Sequence, residues 1–301
     1  MVAMTSIPTF RPGRPVVVRR PADLADPVRL FHGAAVERRE WEALDALGRR
    51  QLVVRSRIAA LQRRVVASHR SAGALWGLPE LGRWDSRLHV VDPGIAKTHV
   101  GRGVVRHAGQ IASDEIAELS GTPVTSLLRT VTDIAHTVPL RHGVVVLDHV
   151  LHTGHMDRPA LQRAFDQRAG RRGNRVARSA LDLADAASES PGESSSRVTM
   201  RDLRVPPPIL QQEFATDAGR FRVDFWWPDV GVVGEFDGRV KYDDRDVLWA
   251  EKRREDALRR LPQVSGFARW GMREAGDPVL LAHVLLAAGV PLGRGWAARP
   301  R

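Results

Sequence analysis

Asp224, Glu235 and Asp237 lie close together in GRFRVDFWWPDVGVVGEFDGRVKY, Gly219 to Tyr242. Carboxylates gathered in one place repel each other unless a cation sits among them, and hard oxygen donors of this kind suit Mg²⁺ or Mn²⁺. In RFRVDFW the apolar Phe221, Val223 and Phe225 alternate with Arg222, Asp224 and Trp226. A strand with a period of two residues then projects Asp224 off the packed face. By the same rule VVGEFDG puts Val233, Glu235 and Asp237 on one face and Val232, Gly234 and Phe236 on the other.

The elements that must position these groups can be read around them. Pro228, Asp229 and Gly231 supply turn chemistry between two strands, and antiparallel pairing across the turn brings Asp224 level with Gly234 or Glu235. Ahead of them the reading gives a helix from Glu193 to Leu203 and a strand from Leu210 to Ala215. Behind them come a helix from about Val247 to Leu261 and a strand from Gln263 to Trp270, so the order is α-β-β-β-α-β. Ser190 and Glu193 form the S-x-x-E pattern of a capping box with Pro191 at the first helical position, which gives Glu193 a purely structural alternative. Asp237 before Gly238 has one too, as the start of a turn. On DVLWAEKRREDALRRL an apolar stripe is interrupted by Arg254 and leaves Lys252, Asp256 and Arg259 on the opposite face, as phosphate contacts or as a solvated surface. Trp226 and Trp227 are either hairpin packing or a stacking platform for a base.

Taken together, SESPGESSSR, RVDFWWP, VGEFDGRVKY and EKRREDALRR resemble the core of the PD-(D/E)XK nuclease superfamily, in particular its very-short-patch-repair endonuclease branch, from Ser188 to about Trp270. The resemblance implies that Glu193 is the helix acid, Asp224 the strand aspartate and Glu235 the following glutamate. These three would hold the metal, with the main-chain carbonyl of Phe236 completing the ligand set. Asp237 stands where a lysine is commonest in that superfamily. Lys241 or Lys252 would then supply the missing cation, and the sequence does not choose between them.

Composition sets wider bounds. With 301 residues the chain has room for two domains, and its 46 Lys and Arg against 35 Asp and Glu give a net charge of +11. That balance favours phosphate-rich partners, although solvated basic faces produce it as well. Zero cysteines exclude disulfides and thiolate metal sites and fit a cytoplasmic location. No apolar run approaches the roughly 18 residues of a membrane span, and no secretory leader is expected at MVAMTSIPTFRPGRPVVVRR. A P-loop, a dinucleotide fingerprint and a serine-hydrolase elbow are all missing. The eleven histidines show no HExxH or other tight ligand spacing, so His69, His89, His107 and His149 read as structural.

The first half reads as α+β and mostly helical. Residues 1 to about 30, with Pro8, Pro12, Pro15, Pro21 and Pro27 among arginines, read as an extended arm. A helical pattern runs from Trp41 to Leu78, ending near Gly77 and Pro79. Strands follow at Arg87 to Asp92 and Gly103 to Ala108. Next come a helix capped by Thr125 or Ser126 and further helices at Leu140 to Leu151, Arg158 to Ala169 and Val176 to Ala184. The series SHRSAGALWGLP, LHVVD, GVVRHAG and GTPVTSLLRTVTDIA, between about Val65 and Ala135, resembles actinobacterial proteins related to AbiE-type antitoxins of type IV toxin-antitoxin systems. The residues before Val65 lack the helix-turn-helix signature usual there.

ADAASESPGESSS places a linker at about Ala184 to Ser190. The expected domains are therefore an antitoxin-like one over 1–184 and an α/β restriction-endonuclease-like one over 185–301. The expected function is a Mg²⁺- or Mn²⁺-dependent endonuclease acting on DNA rather than RNA, with a toxin or other protein as a further partner. The alternative is a non-catalytic, DNA-binding, antitoxin-like regulator.

Overall fold

A computed structural model describes residues 20–61, 63–82, 86–238 and 245–293. The chain divides into two units, one formed by Met1–Pro139 with Met156–Arg178, the other by Leu140–His155 with Ser179–Arg301.

In the first unit a short 3-10 turn at Pro21–Asp23 leads into an antiparallel hairpin of β1 (Pro27–Phe31) and β2 (Ala34–Glu37). The stretch read as an arm is therefore regular at its end, and residues 1–19 lie outside the described residues. After α1 (Arg38–Glu42), the helix α2 (Ala46–Ala60) starts where the Asp45 carboxylate accepts the Gly48 N–H at 2.7 Å. The helical pattern expected through Leu78 is then broken by β3 (Val66–Ala67). A short apolar run buried on both sides carries no period that separates strand from helix. α3 (His69–Leu75) follows and stops at Gly77, whose φ of +74° suits a residue without a β-carbon.

The strands β4 (Leu88–Asp92), β5 (His99–Val100), β6 (Val104–Ala108), β7 (Ile116–Leu119) and β8 (Thr122–Thr125) complete a six-stranded mixed sheet in the order β5-β6-β4-β3-β8-β7. This half is thus α+β, with helical residues outnumbering strand residues around a six-stranded sheet. α4 (Leu127–Thr137) begins at Ser126, as its sequence indicates. The next helix, α5 (Leu140–His152), belongs to the second unit, and α6 (Arg158–Asp166) to the first. The division between units falls within α7 (Asn174–Leu183).

The second unit continues through α8 (Pro191–Asp202), β9 (Ile209–Thr216), β10 (Gly219–Trp227), β11 (Val232–Phe236), α9 (Arg245–Arg259) and β12 (Gly266–Trp270). It closes with α10 (Met272–Gly276) and α11 (Pro278–Ala287). The order from α8 to β12 is the α-β-β-β-α-β read from the sequence. Its sheet runs β12-β11-β10-β9, antiparallel except for β11 with β12, which are parallel because α9 crosses between them. Both faces are buried. Phe225, Trp227 and Trp270 pack with Met200 of α8, with Leu203 just past its end, and with Leu281 and Leu285 of α11. Val223, Trp226 and Val233 pack with Phe214 and with Leu258 of α9.

Residues 184–190, read as a linker, lie inside this unit. There the Asp185 N–H donates to Asp148 of α5 at 2.8 Å, and Ser188 is buried. Among the described residues no helix is long and apolar enough to cross a membrane.

Candidate functional site

The carboxylate strands do not keep one alternation along β10. Val223 packs on the α9 side and Phe225, two residues on, packs on the α8 side. The switch occurs at Asp224. β9 and β10 pair Val223 with Gln212 and Phe225 with Leu210, and the intervening Asp224–Gln211 pair drops out of the ladder. Gln211 has φ +52°, an uncommon backbone for a residue with a β-carbon and of the kind that collects at functional positions. On its other side β10 pairs with β11 only from Phe225–Gly234 to Trp227–Val232. Where that ladder ends, the Asp224 carboxylate takes the Phe236 N–H at 2.9 Å. Continuing the register by one residue sets Asp224 opposite Glu235, one of the two levels expected from the turn.

Glu193 reaches this point from the first turn of α8. Its N–H donates to Ser190 Oγ at 3.2 Å, so the cap exists. Its carboxylate, however, accepts the N–H of Glu189 and the Gln211 Nε2, both at 3.0 Å. Gln211 stands opposite Asp224 in the β9–β10 register. Glu193 is only 6% exposed, and burial, followed by the negative charge of Glu193, pushes the Asp224 carboxyl up to about 6. Gly192 permits the close fit of α8 on β11: a β-carbon there would fall 1.9 Å from Cζ of Phe236.

Glu235 is placed differently. Arg254 of α9 holds its Oε1 at 2.7 Å, and Arg269, its register partner on β12, holds Oε2 at 3.2 Å. Arg269 also pairs with Glu255 at 3.1 Å. Asp237 is exposed beyond the end of β11, with its N–H donating to the Trp270 carbonyl at 2.8 Å. Lys252 is exposed on α9 with its Nζ 5.7 Å from the Trp249 ring centre, and Lys241 lies outside the described residues. Trp226 and Trp227 are buried, and the Trp227 indole N–H donates to the Pro206 carbonyl at 2.8 Å, so they pack the hairpin and offer no platform to a base.

By charge and donor type Glu193 and Asp224 fit an oxygen-ligated divalent ion. Glu235, as it stands, is neutralised by two guanidinium groups. Among the described residues, the set of three or more His, Asp or Glu side chains with ligand atoms all within 4.8 Å of one another is His69, His89 and His107, not the carboxylates.

Three residues of the carboxylate site escaped the sequence reading: Gln211, Arg254 and Arg269. Arg254 left a trace, as the charge that interrupts the apolar stripe of α9. The other two left none, because their roles arise from strand register.

No family model matches the chain, and no solved structure matches it. Two proteins of Mycobacterium tuberculosis do: "Uncharacterized protein MT2308" of strain CDC 1551 / Oshkosh and "Uncharacterized protein Rv2248" of strain ATCC 25618 / H37Rv. Each is 31% identical over 152 residues, which is 50% of this chain and 55% of the relative. The chain thus spans about half the length of the curated relatives it matches.

Proposed function

We propose that the second unit is the nuclease centre of a Mg²⁺- or Mn²⁺-dependent endonuclease that hydrolyses phosphodiester bonds, in DNA before RNA, inside the cytoplasm. The observation that carries this reading is a pair of carboxylates near the point where the β10–β11 ladder ends, Glu193 held by the Gln211 amide and Asp224 by the Phe236 N–H. Two neighbouring desolvated carboxylates call for a cation, and burial with the charge of Glu193 raises the Asp224 carboxyl. A bound divalent ion would stabilise the charge that builds on the phosphoryl oxygens and lower the pKa of an attacking water. Asp224 and Glu193 would hold it, Gln211 would fix the orientation of Glu193, and Phe236 would anchor Asp224 through its N–H and offer its carbonyl as a further ligand. The net charge of +11 supports a polyanionic substrate. The likeness of the first unit to AbiE-type antitoxins supports a role for it in binding nucleic acid or a toxin-like protein.

A second reading, a DNA-binding regulator without activity, is favoured by the two arginines on Glu235, which occupy the acid that the nuclease pattern assigns to metal. Incubation of supercoiled DNA and single-stranded RNA with the purified chain in Mg²⁺ or Mn²⁺ separates the two. Cleavage lost on Glu193→Gln supports the nuclease. Retention of DNA with no cleavage of either substrate supports the regulator.

A further inference from the structure

His69, His89 and His107 come from three elements of the first unit. β4 and β6 run parallel with His89 beside Val105 and Val91 beside His107, so the two histidines stand two residues apart on the same face of neighbouring strands. His69 opens α3 directly after β3, on the other side of β4. The Ser68 N–H donates to the His89 carbonyl at 3.0 Å, and the His89 N–H donates to Ser71 Oγ at 2.8 Å, which ties the start of that helix to β4. The His69 and His107 rings stack with centroids 3.7 Å apart, and His89 Nδ1 lies 3.0 Å from His107 Nε2. One ring nitrogen from each residue lies within 4.8 Å of the other two. Nitrogens on a shared tetrahedral Zn²⁺ are about 3.3 Å apart, given Zn–N bonds of about 2.0–2.1 Å. The nitrogens are thus close enough to share one ion once the stacked His69 and His107 rings turn their planes toward a common point.

Two further features suit the trio to a metal. His69 is buried and has φ +49°, a backbone few residues with a side chain adopt, so the fold holds this imidazole at a local cost. Burial, then the neighbouring histidines and the cations Arg129 and Arg168, holds His69 well below the usual histidine range, and similar causes bring His107 to about 4. Neutral imidazole is the form that binds metal. The cations do not bar a metal, because Arg129 is paired with Glu115 and Asp133 at 2.8 Å each and Arg168 with Glu115 at 3.3 Å.

We infer that His69, His89 and His107 form a second, separate metal site, for a borderline transition-metal ion of the Zn²⁺ class, with its fourth position left to water or an exogenous ligand. Imidazole donors select Zn²⁺, Cu²⁺, Ni²⁺ or Fe²⁺ over Mg²⁺, so this site is chemically distinct from the carboxylates. It stands or falls independently of the nuclease reading.

The test uses the whole chain, stripped with chelator and titrated with Co²⁺ and Zn²⁺. The expected result is one equivalent of Co²⁺ bound with the visible d–d bands of tetrahedral nitrogen ligation, and displaced by Zn²⁺. His107→Gln and His89→Gln are each expected to weaken binding by roughly tenfold or more. His149→Gln, on α5, should leave it unchanged. Circular dichroism on both variants separates a lost ligand from a lost fold, and the wild-type titration decides even if both unfold. Absence of a stoichiometric Co²⁺ or Zn²⁺ complex in wild type overturns the inference, as does undiminished affinity in folded His107→Gln and His89→Gln.

Discussion

The Phe236 N–H donates to the Asp224 carboxylate at 2.9 Å, at the point where main-chain pairing of β10 with β11 stops. A side chain thereby replaces a ladder carbonyl. The carboxylate is drawn into the gap between strands, where water is scarce and Glu193 is its neighbour.

Stability should carry the mark of that burial. The Asp224 carboxyl is raised from 3.8 to about 6 in the folded protein, so the folded chain holds this proton more tightly than the unfolded chain does. Wild-type stability therefore falls as pH rises through that window. Asp224→Asn keeps an acceptor for Phe236 and has no proton to lose. In chelator it should be more stable than wild type by about 1–3 kcal/mol at about pH 7, with the advantage gone below about pH 4. Urea unfolding across that range checks it, and a constant difference would contradict the assignment.

Gly192→Ala should be destabilising by about 1–3 kcal/mol, because the new methyl group meets the Phe236 ring and β11 must shift to accommodate it. Thermal unfolding reads this directly. The same shift would carry Asp224's anchoring N–H away, so any Mg²⁺ response should weaken as well.

Arg254→Met separates the two roles open to Glu235. Without metal, loss of the guanidinium from a carboxylate only 8% exposed should cost about 1–3 kcal/mol, with Arg269 as the remaining partner. If Arg254 competes with an ion for that carboxylate, Mg²⁺ affinity should rise several-fold in the variant. Unchanged affinity would make Glu235 a purely structural acid.

α5 is joined to α8 by a buried pair, with Asp148 Oδ2 2.8 Å from Arg197 Nη1 and the Asp148 side chain 1% exposed. Removing one partner of such a pair costs about 3–5 kcal/mol. Asp148→Ala should therefore destabilise the second unit by that order in chemical denaturation, and a fragment that starts at residue 185 should fold poorly for want of α5.

Much of the second unit was legible in the chain because its signals are local. Ser190 and Pro191 start α8, and Pro228 to Gly231 turn the hairpin; in the first unit Ser126 likewise starts α4. What was hidden depends on register between distant segments. Phe221, Val223 and Phe225 alternate in sequence yet pack on both faces, since the sheet is covered on each side and its alternation breaks at Asp224. Glu235 reads as a ligand until Arg269 is placed beside it by parallel pairing. Val66 and Ala67 read as helix because a short strand buried on both faces has no period of its own. The histidine trio escaped because 20 residues separate His69 from His89 and 18 separate His89 from His107, and only the strand order β6-β4-β3 makes them neighbours.

The most direct measurement is calorimetric titration of Mg²⁺ or Mn²⁺ into the chelator-treated chain, wild type against Asp224→Asn, since it needs no knowledge of the substrate. The expected result is saturable binding in wild type that Asp224→Asn abolishes and His107→Gln leaves intact. Wild type that takes up neither ion, or an Asp224→Asn variant that binds as well as wild type, would contradict a metal-holding role for Asp224 and Glu193.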